Sequence, residues 1–204
     1  MIKALAALFY CLATLLTGSM AWAAELDDII NAIPTQTVIR GRYIQTQKLV
    51  HVPHAFTTEG HFIFWRDSVF LWRTNAPIRT TTLYTDKSLK TYLHINGKRI
   101  ESVSSSATSI ENRILWSIIS RDLNALELDF QILAYDLPQG WQLDFYPKTN
   151  LTRSIVKHVV MLGRTGPREL IVENYSGDLT ILKLVDISLS NASSSQEEAE
   201  LANP

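Results

Sequence analysis

The sequence predicts a mainly β protein with some α-helix: a strongly curved antiparallel sheet or open barrel of about eleven strands, with helices across its concave side. Three observations predict it. Short β-branched and aromatic runs bounded by turn residues recur along the chain. Two stretches carry helical apolar spacing, one ahead of the first strand and one mid-chain. The segment Thr58–Pro77 is apolar on both faces of its strands, with Phe62 and Phe64 on one side and Ile63 and Trp65 on the other. An antiparallel strand with one wet face alternates apolar with polar residues. This hairpin, with Phe70 and Trp72 on its return, needs cover on both sides.

The elements follow in order. Leu26, Ile29, Ile30 and Ile33 fall at helical spacing and Pro34 ends the helix. Val38–Gln47 is the first strand, and the aromatic hairpin turns at Asp67-Ser68. Arg79–Thr85 and Leu89–Ile95 are joined by a turn at 86–88. Asn96-Gly97 then marks a tight hairpin into Lys98–Val103. Thr108-x-x-Glu111 is a capping box before Ile110, Ile114, Leu115, Ile118 and Ile119, which share one helical side. Asp122 caps a short helical turn at Leu123–Leu126. Strands resume at Phe130–Tyr135, Trp141–Tyr146, Ile155–Leu162, Arg168–Asn174 and Leu179–Ile187.

Residues 1–23 read as a cleaved signal peptide, with Lys3, an apolar run from Ala4 to Leu16, and the small-residue site Ala21-Trp22-Ala23. Cys11 is the only cysteine and lies within that run, so residues 24 onward have no disulfide or thiol chemistry. An oxidising compartment without disulfides points to the periplasm. Removing residues 1–23 from 204 leaves 181, which is one domain. Residues 24–188 are assigned to it, and 189–204 are expected to form a disordered acidic tail. Of the 19 Lys and Arg only Lys3 is removed, leaving 18 against 20 acidic groups. No basic stripe invites nucleic acid.

Reaction chemistry finds little support. His51, His54 and His61 have the spacing of a metal cluster, but lie on a loop entering a strand and read as surface histidines. The chain has no Gly-x-Ser-x-Gly, His-Glu-x-x-His or phosphate loop. No enzyme activity, metal or cofactor is expected. What remains is apolar surface under amphipathic helices, and a lipid suits it. A sixteen-carbon chain fully covered is worth on the order of 12 kcal/mol, at about 0.8 kcal/mol per methylene.

Several stretches resemble the outer-membrane lipoprotein carrier family, LolA. They are Ile39 with Tyr43-Ile44-Gln45, then Gly60, Phe62–Trp65, Arg66, Phe70-Leu71-Trp72 and Pro77, followed by Leu83–Lys87, Trp141–Lys148 and Tyr175–Thr180. Asp67 stands where the family has proline, Leu71 where many members are polar or basic, and the acidic tail replaces a final strand and loop. The resemblance implies an incomplete eleven-strand barrel with an α-helical lid. It also implies carriage of lipoprotein acyl chains from an inner-membrane transporter to an outer-membrane acceptor. Arg66 would hold the lid shut through backbone carbonyls of the lid helices, and Phe70 and Trp72 would belong to the cavity.

The expected function is therefore a soluble, monomeric periplasmic carrier of acylated cargo, either a lipoprotein, a glycolipid or another lipid, with transient membrane contact. Its alternative is a sensor or regulatory module that binds a protein partner. Lipid-binding residues are expected at Ile30, Ile33, Ile114 and Ile118 on the lid, and at Phe62, Phe64, Arg66, Phe70, Trp72, Leu83 and Leu93 on the sheet. Strand register decides which alternating set faces inward. On this reading, Phe70→Glu abolishes lipid uptake in binding assays and leaves the protein folded.

Overall fold

The alternating runs pair into one antiparallel sheet. The structure, a computed structural model, describes residues 26–66, 68–85, 88–102 and 110–202. The expected signal peptide and Thr108 lie outside the described residues. Helix α1 (Leu26–Ala32) precedes β1 (Val38–Lys48), β2 (Phe56–Trp65), β3 (Val69–Ala76), β4 (Thr80–Tyr84), β5 (Leu89–Ile95) and β6 (Lys98–Ser102). Then come α2 (Ile110–Ser120), α3 (Asn124–Asp129), β7 (Phe130–Leu137) and β8 (Gly140–Pro147). The chain continues with α4 (Asn150–Ile155), β9 (Val156–Gly163), β10 (Pro167–Asn174), β11 (Leu179–Ser190) and α5 (Ser195–Ala202).

The eleven strands lie in the order β6-β5-β4-β3-β2-β1-β11-β10-β9-β8-β7. Two meanders are thus joined by the pairing of β1 with β11. The free edges, β6 and β7, are consecutive in the chain. Their connection runs from one edge of the sheet to the other and carries α2 and α3. Topology therefore lays the mid-chain helix across the concave side. There α2 packs on β10, and α1 and α3 pack on β7.

Register settles which aromatic set is inside. Ile39, Tyr43, Phe62, Phe64, Phe70, Trp72 and Tyr84 join the main core with Ile29, Ile30, Ile33, Ile114, Leu115, Ile118 and Ile119 of the two helices. The alternate set, Val38, Ile63 and Leu71 with Trp65 and Leu83 against them, forms a smaller cluster on the outer face. Leu83 is therefore corrected from the concave side to the convex side, because it pairs with Leu71 while its neighbour Tyr84 pairs with Phe70. Leu93 pairs with Thr80, on the concave side, and is half-buried outside the main core.

The tail also differs from expectation. β11 continues to Ser190, and residues 195–202 form α5 in place of disorder. The physical reason is a reciprocal cap. The Ser194 backbone N–H donates to Glu197 Oε2 at 2.6 Å, and the Glu197 N–H donates to Ser194 Oγ at 3.3 Å. A side-chain cap likewise starts α4, where Thr149 Oγ1 accepts from the Thr152 N–H at 3.1 Å.

Close approach fixes one glycine. A Cβ on Gly60 would lie 1.8 Å from the Arg73 carbonyl oxygen and 2.8 Å from the Tyr43 ring. Gly60 sits where the β2–β3 register shifts and directly opposite Tyr43. We predict that Gly60→Ala costs about 3 kcal/mol, since neither backbone nor buried ring can yield cheaply. Urea denaturation checks this, and an unchanged midpoint contradicts it.

Candidate functional site: an aromatic concave face under a latched lid

The concave face is a continuous layer of rings. Tyr43 stacks on Trp72 with centroids 3.9 Å apart, and Phe62 lies parallel to Trp72 at 6.0 Å. Phe70 meets Phe62, Phe64 and Trp72 edge-on. The Tyr43 hydroxyl is satisfied by Thr74 Oγ1 at 2.7 Å, and burial raises its pKa above the usual phenol value. Helix α2 closes the layer from above, with Trp116 5.4 Å from Phe64 and 6.1 Å from Phe70.

The predicted residues Ile30, Ile33, Ile114, Ile118, Phe62, Phe64, Phe70 and Trp72 thus meet in one core. They touch each other there, so the lid underside occupies the concave space. Phe70 is wholly buried. A carboxylate at that position would be an unpaired charge inside the core. With Phe70 at the centre of the core, Phe70→Glu is expected to unfold the protein before it reports on binding, against the expectation that it stays folded.

Two arginines hold the end of α1. The last carbonyls of a helix have no partner within it and carry partial negative charge. Arg66, just past β2, donates from Nη2 to the Pro34 carbonyl at 3.0 Å, two residues beyond α1. Its guanidinium also lies 5.7 Å over the Phe64 ring. Arg121, at the end of α2 with φ of 62°, donates to the carbonyls of Asn31, at 2.8 Å, and Ile33. Arg121 was missed in the sequence, where it reads as an ordinary polar residue after a helix. Its signal is position: a cation just past the apolar run of α2, with the exposed end of another helix as its only short-range demand.

A cleft of about 610 Å³ opens beside this latch. It runs from Ile33, Pro34 and Ile119 on the lid to Ile39, Phe62, Leu184 and Leu189 on the sheet. Its floor is a bulge, where Asp186 and Ile187 lie between the Arg42–Val185 and Arg40–Ser188 pairs. Asp186 has a φ of 54° and binds Arg42 at 3.1 Å. Arg164, from the β9–β10 turn, and Arg168, at the start of β10, stand exposed along the opposite wall. The volume is in the range of small-ligand sites.

The histidines are dispersed. His51 and His54 are exposed, while His61 approaches Glu200 at 3.2 Å on the outer face. Among the described residues, no three His, Cys, Asp or Glu side chains come together as metal ligands. Also among the described residues, no helix is long and apolar enough to cross a membrane.

No protein-family model matches the sequence. No curated protein matches it either. Among solved structures, the chain is similar to a LolA superfamily protein from Nitrosomonas europaea, with 10% identity, 82% of this chain and 93% of that chain covered, and a TM-score of 0.47. It is similar to a putative outer membrane lipoprotein-sorting protein domain from Vibrio parahaemolyticus, with 11% identity, 86% and 95% coverage, and a TM-score of 0.47. It is also similar to the Pseudomonas aeruginosa MucA/MucB complex, with 10% identity, 84% of this chain and 58% of that chain covered, and a TM-score of 0.44. The fold is an incomplete barrel with a helical lid. Its eleven-strand order and edge-to-edge helices agree with the fold that the LolA resemblance implies.

Arg121→Gln removes a charged donor from two carbonyls and is expected to loosen the end of α1 by about 1.5–3 kcal/mol. Hydrogen exchange in 26–36 then speeds at least tenfold while β9–β11 amides stay protected. Equal protection in wild type and variant contradicts the latch.

Proposed function

We propose that the protein is a soluble periplasmic carrier of acylated cargo, a lipoprotein or a related lipid. It takes the cargo at the inner membrane and yields it at the outer membrane, in transient contact with each. One observation carries the reading: a largely apolar concave face, dominated by aromatic rings, is covered by two helices, with a cleft already open at their border. An acyl chain entering beside Ile33, Ile119 and Phe62 exchanges one apolar contact for another. Each methylene it buries is worth about 0.8 kcal/mol, against roughly 1.5–3 kcal/mol for each large side chain of the lid that it displaces. Such an exchange is close to balanced, which suits a carrier that must also release. Arg164 and Arg168 at the cleft favour an anionic head group.

The helix ends around Arg66 and Arg121 make the lid a discrete element. Opening breaks a few charged hydrogen bonds whose donors and acceptors can turn to water, while the sheet remains whole. The rival reading, a regulatory module that binds a protein, needs no chain in this space.

Leu189 lines the cleft yet is 42% exposed, so a polar side chain there is tolerated by the fold. Leu189→Glu is expected to lower loading of a long-chain acyl ligand at least tenfold, read by native mass spectrometry after incubation with membranes, with an unchanged melting temperature. Wild-type protein that stays free of lipid under those conditions sinks the carrier reading. Equal loading of wild type and variant sinks this cleft as the entry.

A further inference from the structure

On the convex side, opposite the lid, three strands present a row of basic side chains. Arg42 on β1 pairs across the ladder with His61 on β2, and His61 with Arg73 on β3. Arg40 stands two residues before Arg42 on the same face. Like charges side by side on a sheet repel. Arg73 is also buried, at 8% exposure, with Nε donating to Thr81 Oγ1 at 3.2 Å. A buried guanidinium is costly without an anion nearby. Arg42 has Asp186 of β11, and the other members of the row need carboxylates from elsewhere.

Helix α5 supplies them. Glu197 Oε1 lies 2.7 Å from Arg40 Nε, and Glu200 Oε2 lies 3.3 Å from Arg73 Nη1 and 3.2 Å from His61 Nε2. The Ala192 carbonyl accepts from Arg40 Nη2 at 3.3 Å. Glu197 is itself buried, at 6% exposure. Residues three apart on a helix share a face, so the site receives two carboxylates one turn apart. The groove between sheet and helix is lined by Arg40, Arg42, His61, Ile63, Glu197 and Glu200 among others.

The occupant is held by charge and by its tether. Eight residues make a helix that is marginal in water on its own. Only 191–194 separate it from β11, so its local concentration at the groove is high. Glu198 faces away and is exposed. A segment of another protein with carboxylates at the same spacing satisfies the same cations and need only outcompete a short tethered helix.

We propose that the basic row Arg40–His61–Arg73 is a docking site for an acidic helical segment of a partner protein, and that α5 is the occupant this segment displaces. The proposal does not rest on the carrier reading, since it concerns the opposite face of the sheet. The test uses the full chain and a fluorescent synthetic peptide of residues 191–204. The double variant Glu197→Gln, Glu200→Gln, with α5 weakened in place, should bind the peptide at least tenfold more tightly than wild type in anisotropy titrations. That gain should disappear when Arg40→Gln is added, and when the peptide itself carries glutamine at 197 and 200. Melting temperatures confirm that each variant is folded. Equal peptide affinity in wild type and double variant overturns the proposal, as does undiminished binding of the glutamine peptide or undiminished binding after Arg40→Gln. A double variant that gains affinity for phosphatidylglycerol vesicles but not for the peptide also overturns it.

Discussion

Tyr43, Phe62, Phe70 and Trp72 form one layer of rings across β1, β2 and β3, and the cost of wetting that layer governs everything above it. Each large ring buries roughly 150–250 Å², worth about 4–6 kcal/mol at 25 cal/mol per Å². A protein of this size cannot leave several such rings exposed and stay folded. The sheet cannot cover them itself, because its two edges do not meet. The edge-to-edge connection supplies α2, and the segment before β1 supplies α1. Both present isoleucine and leucine to the rings. Anything that moves the helices must leave other apolar matter in their place.

The two faces of the sheet are managed by opposite means. Inside, contacts are apolar and the polar groups are placed at the lid's border, where Arg66 and Arg121 meet helix-end carbonyls. Outside, a small apolar cluster adjoins a row of basic side chains that acidic side chains meet. Burial lowers the pKa of Arg73 and the Glu200 carboxylate opposes that shift. Apolar contact is indifferent to the direction and chemistry of a partner, so the carrier reading asks only that a chain at the inner face fit. Ion pairs specify position, so the outer face asks for carboxylates at a set spacing.

Much of the fold was legible because its signals are local. Asn96-Gly97, with φ of 51° and 73°, forms the tight turn that its dipeptide announces. The helical spacing of Ile114, Leu115, Ile118 and Ile119 gave the lid underside directly. Leu83 was misplaced for a different reason. Val69–Trp72 and Thr80–Tyr84 are apolar or ambivalent at consecutive positions, so no alternation marks the inner set, and only long-range pairing decides it. The helix α5 was readable in principle from Ser194-x-x-Glu197, but a capping box followed by few apolar residues reads as disorder when the basic row that holds it lies over a hundred residues away in the chain. Arg121 belongs to the same class. Its place just past α2 marks a cation, but nothing local says which helix end it caps.

The central claim is that an acyl chain takes the place of the lid against the aromatic layer. Trp116 rides on α2 beside Phe64 and Phe70, so a chain that takes the place of α2 on the aromatic layer would lie against it. The most direct measurement is quenching of tryptophan fluorescence by a brominated long-chain acyl ligand, in wild type and in Trp116→Phe, with loading followed in parallel by mass. The account predicts quenching that tracks loading and is clearly reduced in Trp116→Phe. Loading without quenching, or equal fractional quenching in both proteins, would place the chain elsewhere and contradict it.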